Sequence, residues 1–146
     1  MKEIKYRIWD KKKAKMIYPK NEDLLEELAL EREESHLVYC DMEDIVITLS
    51  GDLMIADECG HSEYLEKDRF IPTQYTGLKD KNGNEIYEGD ILYYEVLMQG
   101  YEVRWDEHNA CFFAIDKNGQ RYRASAFNQM SKIGNIYENP GLLEEI

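Results

Sequence analysis

The chain opens with a strict alternation of side-chain types. Ile4, Tyr6 and Ile8 alternate with charged or aromatic residues, a period of two that predicts a β-strand. The segment Asp10–Lys13 then has the polar composition of a tight turn, and Lys15–Tyr18 has that of a return strand. The pattern predicts an N-terminal β-hairpin with a basic, solvated turn. Its three lysines are alternatively a contact for an anion or a partner.

A helical period follows at residues 21–34. Asn21 can cap the helix, and Leu24, Leu25 and Leu28 form a narrow apolar stripe. The many like charges four residues apart disfavour this helix in isolation. It is either a solvated acidic helix or one that docks on the basic turn of the same or a neighbouring chain. The residues proposed for that contact are Lys11, Lys12, Lys13, Glu26, Glu27 and Glu31.

Between this helix and Pro72, the pattern predicts short strands. Leu37–Cys40 is a short strand, and residues 44–49 and 53–56 flank Ser50–Asp52 as a hairpin. Residues 57–67 are polar and predict irregular structure. Pro72 marks a junction, so we expect an N-terminal region 1–72 and a C-terminal region 73–146, or one domain overall.

The second half is organised around residues 74–92, which are dense in turn chemistry. Asp80–Gly83 and Asp116–Gly119 have the same letters, Asp-Lys-Asn-Gly, and predict the same hairpin turn twice. Other corners are expected at Glu88–Asp90, at Gln99–Gly100 and at 106–109. The residues proposed to shape turns are Gly77, Asn82, Gly83, Gly89, Gly119 and Gly134.

The strands between these corners are short and antiparallel. They are predicted at 91–98, 101–105, 111–115, 121–124 and 133–137, with a helical turn at 126–130 and a terminal helix capped by Asn139. The expected fold class is mainly β (α+β), with the C-terminal half a small, closed SH3-like barrel. Tyr122 and Cys111 are expected to face its interior.

Charge is distributed unevenly along the chain. The net charge is −12. Residues 1–20 have eight basic and two acidic residues, whereas residues 21–70 have three basic and sixteen acidic ones. The total argues against general affinity for nucleic acid or anionic membranes, and the separation favours electrostatic docking between protein surfaces.

The motifs of the second half resemble one family. Tyr75–Gly83 followed by Glu85–Ile91 closely resembles the signature of the YopX family of phage and prophage proteins. Flanking pieces agree with it: Arg7, Trp9, Asp10, Met16, Val103, Trp105, Phe112, Phe113 and Ile133–Pro140. The resemblance implies a β-rich fold, a source in a phage or prophage, and no established activity. Residues 20–70 look like a variable region of the family.

The residues themselves suggest no catalytic or metal site. Cys59 and His61 are close in sequence, but no pair has the spacing of a zinc site, and His108 is expected in a turn. Neither a nucleophile elbow nor a phosphate-binding glycine loop is found. We therefore expect no catalytic residues, no cofactor and no metal. Three cysteines, an opening without an apolar signal segment and no long apolar run predict a reduced, cytoplasmic protein with free thiols. The resemblance to phage and prophage proteins implies that this cytoplasm is that of a bacterial host.

The expected function is a non-enzymatic protein that forms a homo-oligomer or binds a host or phage protein. The alternative is a nucleic-acid-associated module in which Arg104, Arg121 and Arg123 face outward beside Tyr101, Trp105 and Tyr122. A related alternative is that residues 21–70 mimic nucleic acid and occupy the site of a DNA-binding protein.

Overall fold

The computed structural model describes residues 5–18, 42–47, 53–57, 62–64 and 68–146. The chain divides into two compact units, Arg7–Pro72 and Met1–Tyr6 with Thr73–Ile146. The described segments are mainly β, which confirms the predicted fold class. The predicted acidic helix 21–34, the strand Leu37–Cys40 and the Ser50–Asp52 turn lie outside the described residues.

The strands are numbered in chain order. They are β1 (Tyr6–Asp10), β2 (Lys15–Ile17), β3 (Met42–Ile47), β4 (Leu53–Asp57), β5 (Ser62–Tyr64), β6 (Phe70–Lys79), β7 (Glu85–Tyr87), β8 (Asp90–Tyr94), β9 (Gln99–Asp106), β10 (Cys111–Ile115), β11 (Arg121–Arg123) and β12 (Ser131–Asn135). A 3₁₀ helix spans Ala124–Gln129, and one α-helical turn, α1, spans Leu142–Glu145.

In the unit Arg7–Pro72, β1 and β2 form the predicted hairpin. Asp10 holds its turn, since the carboxylate accepts the N–H groups of Lys12 and Lys13. Ala14 closes the turn in the left-handed region, at φ 50°. Arg69 donates two hydrogen bonds to the Asp10 carboxylate, at 2.9 and 2.8 Å. The bond from Arg69, together with the two backbone bonds, outweighs the effect of burial and lowers the pKa of Asp10.

The same unit contains the antiparallel sheet β3-β4-β5. Ile45 is paired with Ile55, as the predicted hairpin requires. Residues 57–67 were predicted to be irregular, and this was wrong for residues 62–64. Those residues form β5, in which Glu63 is paired with Ile55. A three-residue polar strand has too few apolar positions to show a period of two, so the pattern did not reveal it.

In the other unit, β6 pairs with β7 across the first Asp-Lys-Asn-Gly turn. Gly83 takes φ +84° and its N–H donates to the Asp80 carbonyl, so the turn ends in a glycine bulge. The Asp80 side chain accepts the N–H groups of Asn82 and Asn84 at 2.9 and 2.8 Å. It also accepts the N–H of Lys132, at the start of β12, at 2.8 Å.

The second copy of this turn has the same internal bonds. The Asp116 carboxylate accepts the N–H groups of Asn118 and Gln120 at 2.9 and 2.8 Å, and Gly119 takes φ +87°. The shared letters therefore code for a shared conformation, because an aspartate at the first position satisfies two turn N–H groups that no strand would pair.

Five strands form the second sheet of this unit, in the antiparallel order β11-β10-β9-β8-β12. Strands β8 to β11 are sequential hairpins, and β12 returns beside β8 after the 3₁₀ helix. The sheet curls into a half-barrel with β11 and β12 as its outer strands, so it is barrel-like but not the closed barrel that was predicted. Its core side is apolar and buried, and the residues packed there are Ile86, Leu92, Tyr101, Val103, Phe112, Ala114, Phe127 and Met130.

The turn between β8 and β9 differs from the predicted one. The expected strand 91–98 ends at Tyr94, and the chain turns at residues 95–98. Met98 takes φ 51° and donates its N–H to the Glu95 carbonyl. Gln99 and Gly100, predicted as a turn, begin β9. A Cβ on Gly100 would lie 2.3 Å from Ile146 Cδ1, so this glycine allows the C-terminus to approach and does not shape a turn.

Two other glycines lie in strands instead of turns. Gly77 is within β6 at φ 82°, where the register with β7 shifts. Gly134 is within β12 at another register shift, and its Cα is close to the Asn139 side chain. Asn139 does not cap the terminal helix, because its Oδ1 accepts the Asn135 N–H. That helix begins after Gly141.

Candidate functional site

The outward side of the five-stranded sheet is the surface on which the predicted arginines meet. Strand β10 alternates, with Phe112 and Ala114 buried on the core side. Phe113 therefore points outward. The register places Phe113 directly between Arg104 of β9 and Arg123 of β11.

A second row runs beside the first. Ile115 of β10 is paired with Glu102 of β9 and Arg121 of β11. The Arg121 guanidinium lies 4.6 Å from the Phe113 ring centre, within the range of a cation–π contact. We refer to Arg104, Phe113, Arg121 and Arg123 as the arginine face. All three of its arginines are exposed.

Only part of the outward side of this sheet is open. Near Gly100, the side chains of Ile146 and Leu143 cover the first residues of β9. Near Gly134, Leu142 covers β12. The C-terminal turn α1 thus shields one end of the sheet, and the arginine face lies beyond the contacts made by α1.

Two carboxylates limit the positive charge of this face. Arg104 donates a hydrogen bond to Glu102 at 2.8 Å, which raises the already high pKa of Arg104. Arg121 lies 3.9 Å from Asp106. The side chain of Asn109 and the N–H groups of its turn bond the Asp106 carboxylate and lower its pKa. The face therefore carries both acidic and basic side chains, with arginine in excess.

A third carboxyl group lies close to Glu102. Burial raises the pKa of Glu88, and the charge of Glu102 raises it further. Glu88 precedes the corner at Gly89, whose N–H donates to the Val103 carbonyl of β9. The fold therefore brings the carboxyl groups of Glu88 and Glu102 close enough to repel each other, which costs stability when both are ionised.

The aromatic side chains expected beside the arginines are on the other side of the sheet. Tyr101 is buried in the core, and its ring contacts Tyr122 edge-on at 5.1 Å. Burial raises the pKa of Tyr101 to about 12, with Tyr122 adding to the effect. Trp105 packs on Phe112 and is 39% exposed. The prediction was wrong because neighbours along a strand point to opposite faces.

The aromatic member of the face, Phe113, was missed by the sequence reasoning. Its signal was available in the pair Phe112–Phe113, because one of two consecutive strand residues must point outward. By the same parity Cys111 is exposed, so the prediction that it faces the interior was wrong. Tyr122 is half-buried and packs toward the core, as predicted.

The other residues proposed for interaction lie elsewhere. Lys11, Lys12 and Lys13 occupy the exposed turn of the β1–β2 hairpin. Glu26, Glu27 and Glu31 fall outside the described residues. Also outside the described residues are Cys40, Cys59, His36 and His61. His108 lies in the β9–β10 turn.

The turn that joins β8 and β9, residues 95–98, exposes apolar side chains. Val96 and Met98 are each 77% exposed and Leu97 is 47% exposed. Side chains of this kind on a surface often contact a partner. Beside them, Glu95 forms an ion pair with Lys81.

The described part of the chain contains no group of three or more His, Cys, Asp or Glu side chains placed to hold a metal ion. Nor does any helix in that part have the length and apolar character needed to cross a membrane.

Two solved structures resemble the whole chain. The crystal structure of protein EF1440 from Enterococcus faecalis is 26% identical, covers 98% of this chain and 99% of its own, and has a TM-score of 0.57. Protein yopX from Bacillus subtilis is 16% identical, covers 97% of both chains, and has a TM-score of 0.54, a likeness of fold. No functionally curated protein matches. The YopX protein family matches residues 5–144, and the chain therefore belongs to that family.

Proposed function

We propose that this protein is a non-catalytic module that self-associates or binds another protein, encoded by a phage or prophage and acting in the cytoplasm of the bacterial host. The observation that supports it most directly is the arginine face. It presents three exposed guanidinium groups around an outward phenyl ring, on a rigid sheet whose other side is the core. Arginine is among the residue types most enriched at binding hot spots, and phenylalanine is among those enriched at the centres of interfaces.

The exposed turn at residues 95–98 gives the proposal a second support. An apolar turn of this exposure costs solubility unless a partner covers it part of the time. The strong charge separation along the chain, with an excess of acids in residues 21–70, supports the electrostatic side of the contact.

The proposal is tested by size-exclusion chromatography with light scattering, over a range of protein concentrations at low and high salt. We expect a molar mass above that of the monomer at low salt, decreasing as salt screens the contact. A pull-down from host cells carrying the phage tests the second form of the proposal. A strict monomer at every salt and concentration that also retains no partner would contradict both forms.

A nucleic-acid module is the second candidate, and the contact of Arg121 with Phe113 is what favours it. An arginine stacked on an aromatic ring can extend to a stacked base. Fluorescence anisotropy with a labelled single-stranded oligonucleotide tests this. The candidate predicts binding that weakens with salt and is lost in Arg123→Glu but not in Lys12→Glu. In the related acidic-mimic form, the protein would bind a basic DNA-binding protein and no DNA.

A further inference from the structure

We propose that the arginine face docks the acidic stretch of a second copy of this chain, with Glu26 and Glu33 meeting Arg104 and Arg123. This inference rests on the self-association proposed above and identifies its contact. Because the acidic stretch of one copy would bind the sheet of another, the contact is heterologous, and an open assembly retains one free face at one end and one free stretch at the other unless a ring closes.

The spacing of the arginines sets the length of the partner. Arg104 and Arg123 are paired with the same residue, Phe113, from opposite sides. Their backbones are two strand intervals apart, about 10 Å. A ligand with two carboxylates about 10 Å apart and an apolar group between them matches this row.

The acidic stretch has this pattern in its sequence. Glu26 and Glu33 are seven residues apart, which in the helix predicted for residues 21–34 corresponds to about 10.5 Å. In that predicted helix Leu30 is four residues after Glu26 and would share the face of the two glutamates, where it would meet Phe113. Guanidinium groups bind carboxylates through paired hydrogen bonds, so the two ends also fix the register of the segment.

The size of the face favours a segment over a broad subunit surface. Three strands span about 10 Å, and the two rows lie about 7 Å apart along them. A standard interface buries about 800 Å² on each partner, which is several times larger. One helical face fits the available area, and a weak, salt-dependent association is expected from it.

The charges on the face favour a protein segment over nucleic acid. Glu102 and Asp106 lie among the arginines, within 2.8 Å of Arg104 and 3.9 Å of Arg121. Closely spaced phosphates would meet these carboxylates and be repelled. A helical face with two carboxylates engages Arg104 and Arg123 on the two flanking strands, and the five N–H donors of the Arg104 guanidinium would be shared between the incoming carboxylate and Glu102.

The test uses two full-length double variants, Arg104→Glu/Arg123→Glu and Glu26→Lys/Glu33→Lys. Each alters one half of the contact. We expect each alone to raise the dissociation constant of self-association by about tenfold or more, measured by light scattering at low salt. Mixing the two is expected to restore association, because the mixture contains one intact face and one intact stretch.

Matched controls separate docking from overall charge. Lys79→Glu/Lys117→Glu makes the same charge change as the face variant at two exposed positions outside the face, and is expected to associate as the wild type does. Circular dichroism shows that each variant is folded. The inference is overturned if the face variant associates normally, if the lysine control loses association equally, or if the mixture stays monomeric.

These outcomes are distinguishable from failure of the proposed function. Normal association of the face variant would leave self-association standing and remove only this contact. A wild-type chain that is monomeric throughout would overturn the docking inference. Retention of a host or phage protein by that monomer would preserve the protein-binding form of the proposed function.

Discussion

The repeated Asp-Lys-Asn-Gly turn provides an experiment with its own control. Asp80 and Asp116 have the same bonds to turn N–H groups through Oδ1. Only Asp80 has a second role, since its Oδ2 accepts the Lys132 N–H at 2.8 Å and ties the turn to β12. Replacing each aspartate by asparagine retains Oδ1 and exchanges Oδ2 for an NH₂ donor.

The expected cost differs between the two sites. In Asp80→Asn the new NH₂ faces the Lys132 N–H and the side-chain NH₂ of Asn84, so two hydrogen bonds to a charged acceptor are lost and partly buried donors have no acceptor. We expect a loss of about 2–4 kcal/mol in the free energy of unfolding. Asp116→Asn retains both turn bonds and loses only their charge assistance, about 0.5–1 kcal/mol.

The difference should depend on pH. Burial alone would raise the pKa of Asp80, but bonds from the N–H groups of Lys132 and Asn84, with others, outweigh it and lower that pKa. The stabilisation from the Asp80 carboxylate is thus fully present above the unfolded value of about 3.9 and is lost as pH falls through the folded value. Wild type and Asp80→Asn should therefore converge in stability at low pH.

Urea unfolding followed by circular dichroism measures the global cost, and amide hydrogen exchange at Lys132 gives a local one. Faster exchange at Lys132 is expected in Asp80→Asn and not in Asp116→Asn. Equal losses of stability in the two variants, or unchanged exchange at Lys132, would show that the bond from Lys132 to Asp80 does not stabilise the fold.

Three further predictions concern backbone strain and the carboxyl group of Glu88. Gly89→Ala should cost about 1–2 kcal/mol for its left-handed φ of +85°, and more because its Cβ would lie 3.0 Å from the Tyr137 ring. Gly83→Ala, at φ +84° with no atom near the new Cβ, should cost only the free energy of placing alanine at a left-handed φ. Equal urea midpoints for Gly89→Ala and Gly83→Ala would contradict the expected clash with Tyr137. Ala110→Gly should raise stability by up to about 1 kcal/mol, since Ala110 takes φ 49° at the end of its turn; a lower melting temperature would count against this. Glu88→Gln should raise stability at neutral pH. Because the pKa of Glu88 is raised in the folded state, ionisation of its carboxyl group opposes folding as pH rises from the unfolded pKa through the folded one. A melting temperature that is unchanged at neutral pH would contradict this prediction.

Local chemistry explains the elements that the sequence predicted well. The two Asp-Lys-Asn-Gly turns are determined within five residues, by an aspartate side chain and a glycine that takes positive φ. The β9–β10 hairpin was equally readable, since Tyr101 and Val103 alternate with charged residues and are buried. In these cases the residues that decide the conformation are adjacent in sequence.

Contacts distant in sequence explain the errors. Gly100 was interpreted as a turn residue, although its role is to admit Ile146, which is 46 positions away. The real turn ends at Met98, whose side chain gives no sign that its φ is positive. Gly134 was misinterpreted for the same reason, since the Asn139 side chain and Leu142 pack against it.

Part of the arginine face could be predicted from the sequence. Charge and strand parity placed Arg104, Arg121 and Arg123 outward, where the structure has them exposed. Their grouping around Phe113 depends on the register between three strands, which the sequence does not display. How much of the outward side of the sheet stays exposed also depends on where α1 packs. The sequence near α1 does not indicate that position.

The most direct test of the central claim is the concentration dependence of the backbone amide NMR spectrum of the wild-type protein at low salt. The amides of Arg104, Phe113 and Arg123 should shift as concentration rises, over the range in which light scattering detects association, and added salt should reverse the shifts. Association without any change at these amides would contradict the claim that this face makes the contact.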